Sequence, residues 1–483
     1  MVASGSMVSL VLSSGGIAVP NVVGDTQGAA QSAITAAGLT LGAVTSQASN
    51  TVANGSVISE NPAAGTGVVA GTSVALVVSS GAGSGSTAYN VTNGIVDQGP
   101  AALSIAGIAA ANIMYVNVTV CAPGSTTNCQ TIDHVQVDTG SQGLRILSSV
   151  ITNSSLLAAL QPIMVSGGAL AECTQFVDGY SWGTMVTADL HVGGSDTATT
   201  GEAAPGIPMQ IIGTSTYTVP AGCSSVGGTE EDTVAEFGAN GIIGLGLFEE
   251  DCGTGCSQTT NNGLYYSCTN SGCSPTAVPV ADQSTNPVFK LSANGGVTDN
   301  NGVIVELPAV GAAGAANVTG KLIFGIGTQS NNALSPSATV LTTDDFNGFV
   351  TTTFISQTDT TSYLDSGSNA LYFDDSNIPL CSQSEVQGFF CPASGVIDQF
   401  SATITGMNGL AAAVNFTIGD AFTLFSNNQT FAAFSNLGGS ASSGSSSGTG
   451  TFAWGLPFYY GRNVYTAMEN TNAGGTNGPY FAF

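Results

Sequence analysis

The sequence predicts a mainly β protein with a small α+β domain at its front. Three observations predict it. Apolar and polar residues alternate in short runs over most of the chain, Gly-, Ser- and Thr-rich turns separate those runs, and helical patterning is confined to an Ala-rich stretch near residue 30 and to "SSLLAALQPI" (154–163). With 483 residues and 43% hydrophobic content, the chain can bury cores for two or three domains.

Taken in order, "MVSLVLSSG" (7–15) recurs as "SVALVVSSG" (73–81), so residues 1–15 read as the last strand of an earlier copy of a repeat. The complete copy spans 16–81. Within it, "VPNVVGDTQGAAQSAITAAGLTLG" reads as a short strand, Asp25 as helix N-cap, an Ala-rich helix, and Gly38 in the left-handed position that closes it. "SVISENPAAGTGVVAGTSVALVVSSG" then gives alternating strands between Gly-rich turns. Residues 82–88, "AGSGSTA", read as a flexible linker. Residues 89–109 are either a propeptide-like segment or the first strand of the larger domain. "IMYVNVTV" and "TIDHVQVD" flank "CAPGSTTNCQ" and read as a hairpin that ends at Asp138.

Charge excludes one class of function. Four Lys and Arg against 30 Asp and Glu give a formal net charge of −26, which repels nucleic-acid phosphates and leaves no basic patch to track them. Solubility and tolerance of low pH both fit this acidity, because protonating the carboxylates leaves almost no positive self-repulsion.

Ten cysteines fall mostly in local pairs: Cys121 with Cys129, Cys252 with Cys256, Cys268 with Cys273, and Cys381 with Cys391. Disulfides are expected, with Cys173 and Cys223 left as a long-range pair, and an even count points to an oxidising compartment. A four-thiolate zinc set from Cys252, Cys256, Cys268 and Cys273 is the alternative. No metal or cofactor is otherwise indicated, and no apolar run approaches the length of a membrane helix.

The chemistry concentrates in one tetrapeptide used twice. "HVQVDTGSQGLRIL" (134–147) and "TSYLDSGSNALYF" (361–373) each place an Asp after apolar strand residues, then a hydroxyl residue, Gly and Ser. One copy would be weak evidence. Two suggest a pair of carboxyl groups, Asp138 and Asp365, which could share a proton and so offer one base and one acid to a peptide bond and a water. Thr139 and Ser366 can brace the loops, Gly140 and Gly367 let backbone approach a carboxylate without a Cβ in the way, and Ser141 and Ser368 can hydrogen-bond the outer carboxylate oxygens.

Two resemblances rest on these residues. The segment Val19–Gly24 with Asn61-Pro62-Ala63-Ala64-Gly65 resembles the PASTA domain, which implies an extracellular module that in some copies binds peptidoglycan and in others serves as a spacer. The paired motifs, with "NGIIGLGLF" (240–248), "FAWGLPFYYGRNVYTAME" (452–469) and "KLIFGIGTQSNNAL" (321–334), resemble the pepsin-like aspartic peptidases. That resemblance implies a bilobal double-β-barrel domain with lobes 89–320 and 321–483, an aspartate from each lobe, a peptide-binding cleft, and a flap for which Tyr180 in "QFVDGYSWGTMVTADLHVGG" is the candidate tyrosine, with Phe176 and Trp182 competing. Two departures stand out. Arg145 occupies a place usually aromatic, near the cleft or on its rim, and Gly455-Leu456-Pro457 replaces the usual Gly-Asp.

The expected function is a secreted or wall-associated aspartic endopeptidase acting on polypeptides. The alternative is an inactive surface protein of the same fold that binds cell wall. His134 and His191 lie in strand-like runs away from any nucleophile pattern, Asn117, Asn317 and Asn415 head Asn-x-Ser/Thr triplets, and "GSASSGSSSGTG" (439–450) reads as a flexible insertion.

Overall fold

The computed structural model describes residues 16–47, 56–79, 88–106, 109–194, 201–214, 216–225, 228–292, 296–393, 398–442 and 450–483. The remnant expected at 1–15, most of the linker, and the middle of the Gly/Ser insertion (443–449) lie outside them. The chain divides into two compact units, one before residue 87 and one from it onward.

In the first unit, strand Thr40–Gln47 runs parallel to Ser73–Ser79, which pairs antiparallel with Val57–Asn61, and the short strand Ile17–Ala18 pairs with Gly67–Val68. Helix Gln27–Ala36 packs Ala30 and Ile34 into a core with Val19, Val22, Leu39, Val57, Val74 and Leu76. The N-cap is Thr26 and not Asp25, since the Thr26 hydroxyl accepts from Ala29 N. Gly38 follows the helix at φ +76°, a conformation that costs a side chain energy and glycine nothing.

Among the described residues, the second unit is built mainly from a 17-stranded and a 7-stranded sheet. Its platform takes strands from both ends of the unit. Val91–Val96 pairs with Val318–Phe324, which pairs with Gly302–Leu307, then Arg462–Ala467 and Tyr480–Ala482. Residues 91–96 are thus a strand of the sheet. Met114–Cys121 and Cys129–Asp138 form the hairpin read from the sequence, with Cys121 opposite Cys129. All ten cysteines form disulfides, in the four local pairs and Cys173–Cys223. The thiols of a zinc set are therefore bonded to each other.

Candidate active site

Two loops with the same connectivity hold the site. Strand Cys129–Asp138 delivers Asp138 to a turn, and Gln142–Leu147 leads away from it; Gly241–Leu245 inserts between them, parallel to the first and antiparallel to the second. Gln357–Leu364 delivers Asp365, Leu371–Tyr372 leads away, and Ala453–Trp454 inserts in the same two senses. Even the locking bonds correspond. Gly246 N donates to the Ser141 carbonyl at 2.8 Å, and Leu456 N to the Ser368 carbonyl at 2.7 Å.

The structure brings Asp138 and Asp365 together. Their carboxyl groups lie within hydrogen-bonding reach of each other. Each has the same dressing: Gly140 N donates to Asp138 Oδ1 and Gly367 N to Asp365 Oδ1, both at 2.7 Å, while the Ser141 hydroxyl donates to Asp138 Oδ2 and the Ser368 hydroxyl to Asp365 Oδ2. Each glycine also lies against the opposite aspartate. A Cβ on Gly140 would stand 2.7 Å from Asp365 Cγ, and one on Gly367 2.6 Å from Asp138 Oδ1. The close approach that the sequence assigns to these glycines is therefore made across the pair.

Thr139 and Ser366 brace the loops against each other. Thr139 N donates to Ser366 Oγ at 3.1 Å, Ser366 N donates to Thr139 Oγ1 at 3.0 Å, and Ser366 Oγ donates to the Val137 carbonyl at 2.8 Å. Gln136 Nε2 adds a bond to the Gly367 carbonyl at 3.0 Å, and the Tyr459 hydroxyl meets Thr139 Oγ1 at 2.9 Å. Burial and the neighbouring Asp138 charge raise the Asp365 pKa well above the ordinary carboxyl range, against the pull of the Ser368 and Gly367 donors. Protons on such a pair belong to the pair.

The carboxyls open into a cavity of about 470 Å³. Phe176, Phe237, Tyr363, Tyr372 and Phe389 supply apolar wall, Asp178, Glu231 and Glu236 supply acidic wall, and no cation lines it among the described residues. Most of these residues carry no separate signal in the sequence, because they come from segments scattered between 176 and 389.

Tyr180 is placed elsewhere. Strands Gly168–Gln175 and Gly179–Val192 form the expected hairpin, but its tip, Phe176 to Asp178, lines the cavity. Tyr180 packs beneath with Trp182, Tyr266 and the Cys173–Cys223 disulfide, and its hydroxyl lies near Glu230. Alternation explains this, since Tyr180 and Trp182 are two apart and point to one face. Phe176 is the aromatic residue that reaches the cavity.

Arg145 lies neither at the cleft nor on its rim. It is 1% exposed, with Nη2 to Glu172 Oε1 at 2.8 Å, Nε to Thr174 Oγ1 at 2.7 Å and Nη1 to the Gln142 carbonyl at 2.7 Å. Asp251 stands 3.8 Å away and accepts from the Tyr265 hydroxyl. The guanidinium thus pins the strand leaving the first loop to the cavity hairpin. His134 rests between Asp133 and Asp97, which raise its pKa, while burial lowers that of His191.

Fold and site together define a β protein that presents two mutually packed carboxyl groups at the floor of a cavity. Residues 86–483 match the family described as DUF3443, proteins of unknown function, and the chain belongs to that family. Residues 17–80 match the PASTA domain. No curated protein matches the chain.

Proposed function

We propose that the chain is an aspartic endopeptidase of pepsin-like type, acting outside the cytoplasm with a dyad of Asp138 and Asp365. The observation that carries this reading is the carboxyl pair, hydrogen-bonded alike on both sides and open to a cavity large enough for peptide side chains. Asp365, whose pKa is raised, holds the shared proton and donates it to the scissile carbonyl oxygen. Asp138 takes a proton from a water as its oxygen bonds to the carbonyl carbon, giving a neutral gem-diol. The diol collapses by breaking the C–N bond as Asp138 returns its proton to the amine and Asp365 recovers its own. No bond to the protein forms. Apolar walls favour apolar or aromatic side chains beside the scissile bond.

Five disulfides support an oxidising location, and among the described residues no helix is long and apolar enough to cross a membrane. The PASTA domain supports attachment to cell wall by peptidoglycan contact, and it equally favours a second reading in which a pepsin-fold protein binds wall without turnover.

Cleavage of a denatured protein and a mixed peptide library between about pH 2 and 7 separates the two. The endopeptidase reading expects acid-favoured cleavage, blocked by a statine-type inhibitor and reduced at least about 10³-fold in Asp138→Asn and in Asp365→Asn. No cleavage by a folded, disulfide-intact chain that still binds wall would sink it.

A further inference from the structure

A second cavity, of about 590 Å³ and lined by neither aspartate, lies between the hairpin Asp398–Thr405/Ala411–Ile418 and the segment around Leu456–Tyr459. Phe400, Phe416, Trp454, Phe458 and Tyr460 make its walls, and Arg462 stands at its edge.

That arginine is unusual in this chain. Of the four Lys and Arg, Arg145 bonds Glu172, Lys290 reaches Glu249 at 2.8 Å and Lys321 reaches Glu306 at 3.4 Å. Arg462 has no carboxylate partner among the described residues, in a protein that carries 30 of them. Burial alone lowers its pKa, with no nearby acid opposing the shift. It is nonetheless held in place. Nη1 donates to the Phe458 carbonyl at 2.6 Å, and the guanidinium lies 4.5 Å over the Phe458 ring. Nε and Nη2 donate to no group among the described residues, leaving their three N–H donors free on a fixed, planar fork.

We propose that this cavity binds a small monoanionic carboxylate with an aromatic or branched apolar body, its carboxylate on Arg462 and its body against the aromatic walls. A half-buried guanidinium with unused donors is matched by a planar two-oxygen acceptor. A dianion such as phosphate is disfavoured, since one cation compensates only its first negative charge and the chain as a whole, at a formal −26, repels the second. The polar rim, including Gln399, Ser401 and Asn415, is neutral. Neither Asp138 nor Asp365 lines this cavity, although Trp454 in its wall belongs to the strand inserted in the Asp365 loop.

Calorimetric titration of the full chain with 3-phenylpropionate, and with its neutral amide, tests the proposal. Saturable binding of the acid at one site is expected, with the amide about tenfold weaker or worse, as for loss of a charged hydrogen-bond pair. Arg462→Gln should weaken the acid by a similar factor. Asn415→Asp, an exposed change on the same cavity that leaves the Phe458 contacts intact, should weaken it too, while Asp365→Asn should bind as the unaltered protein does. A peptide ending in a phenylalanine carboxylate, titrated alongside, distinguishes a chain terminus from a free acid as the source. Equal binding of acid and amide, indifference to both cavity substitutions, displacement by inorganic phosphate, or no saturable binding of either carboxylate by folded protein would overturn the proposal.

Discussion

At Arg145 one buried guanidinium serves the buried Glu172 and the partly exposed Asp251, and Asp251 is pushed well above its usual pKa by desolvation and by Glu172. Removing a single partner from such a group costs more than the pair contributes, because uncompensated charge stays behind in a low dielectric. Arg145→Gln is therefore expected to cost about 3–5 kcal/mol at pH 7. The sign of its pH dependence comes from the carboxylates. Without the cation the Asp251 pKa rises further, so near pH 4 that carboxyl accepts its proton and the loss shrinks. Urea denaturation at both pH values checks this, and an equal loss at both would mean the carboxylates are already neutral. The sequence shows Arg145 plainly yet says nothing of this role, because Glu172, on the hairpin, and Asp251, beyond the strand Gly241–Leu245, become its neighbours only in the folded chain. Asp138 and Asp365 are legible for the opposite reason, since the residues that dress each carboxylate lie within three positions of it.

Elements are legible where patterning is local and illegible where it depends on register between distant segments. The hairpin ending at Asp138 and the helix Ser154–Ala159 follow from alternation, capping and turn residues, while the strand in "NGIIGLGLF" is expected from resemblance. That Gly241–Leu245 and Ala453–Trp454 would each insert between the two arms of an aspartate loop is implied only by resemblance, since no periodicity specifies a parallel partner about a hundred residues away. Glycine makes the insertion physically possible. A Cβ on Gly455 would stand 2.2 Å from the Ala370 carbonyl and 2.5 Å from that of Ser368, and a Cβ on Gly244 2.7 Å from the Gln142 backbone. These are backbone atoms that cannot rotate aside. Gly455→Ala should accordingly cost about 3 kcal/mol and disturb the Asp365 loop, whereas Gly311→Ala, with open space around its position, should change stability by less than about 0.5 kcal/mol. Parallel chemical denaturation of the two variants decides it; equal effects would show that the inserted strand is not tightly held.

At the scale of the molecule most of the shifted carboxyl groups move in one direction, upward. Burial and a neighbouring carboxylate raise Glu202 to about 8 beside Asp299 and Glu231 to about 8 beside Asp178, and burial and Glu249 raise Glu250 to about 6. A carboxyl whose folded pKa exceeds its unfolded value binds its proton more tightly when folded. The stability it contributes is complete below the unfolded value near 4.5 and is lost as pH rises through the folded value. His134, also raised, acts in the same sense. Asp97, Asp344 and Asp374, whose pKa values are lowered, withdraw stability only as pH falls below 3.8, and His191 opposes the trend only as it is protonated below 6.5. Few cations mean that the loss of negative charge in acid is not replaced by positive repulsion. The thermal midpoint of the second unit should thus be higher at pH 5 than at pH 8, by about 4 °C or more. Trp182 and Trp454, the chain's two tryptophans, both lie in that unit, so intrinsic fluorescence reads it without interference from the PASTA domain. Glu202→Gln and Glu231→Gln should each flatten the slope between pH 5 and 8, because an amide keeps the neutral form at every pH. A midpoint that instead rises toward pH 8 would mean that these carboxyls fold in their charged state, leaving solubility as the purpose of the acidity and removing the physical basis for tolerance of low pH.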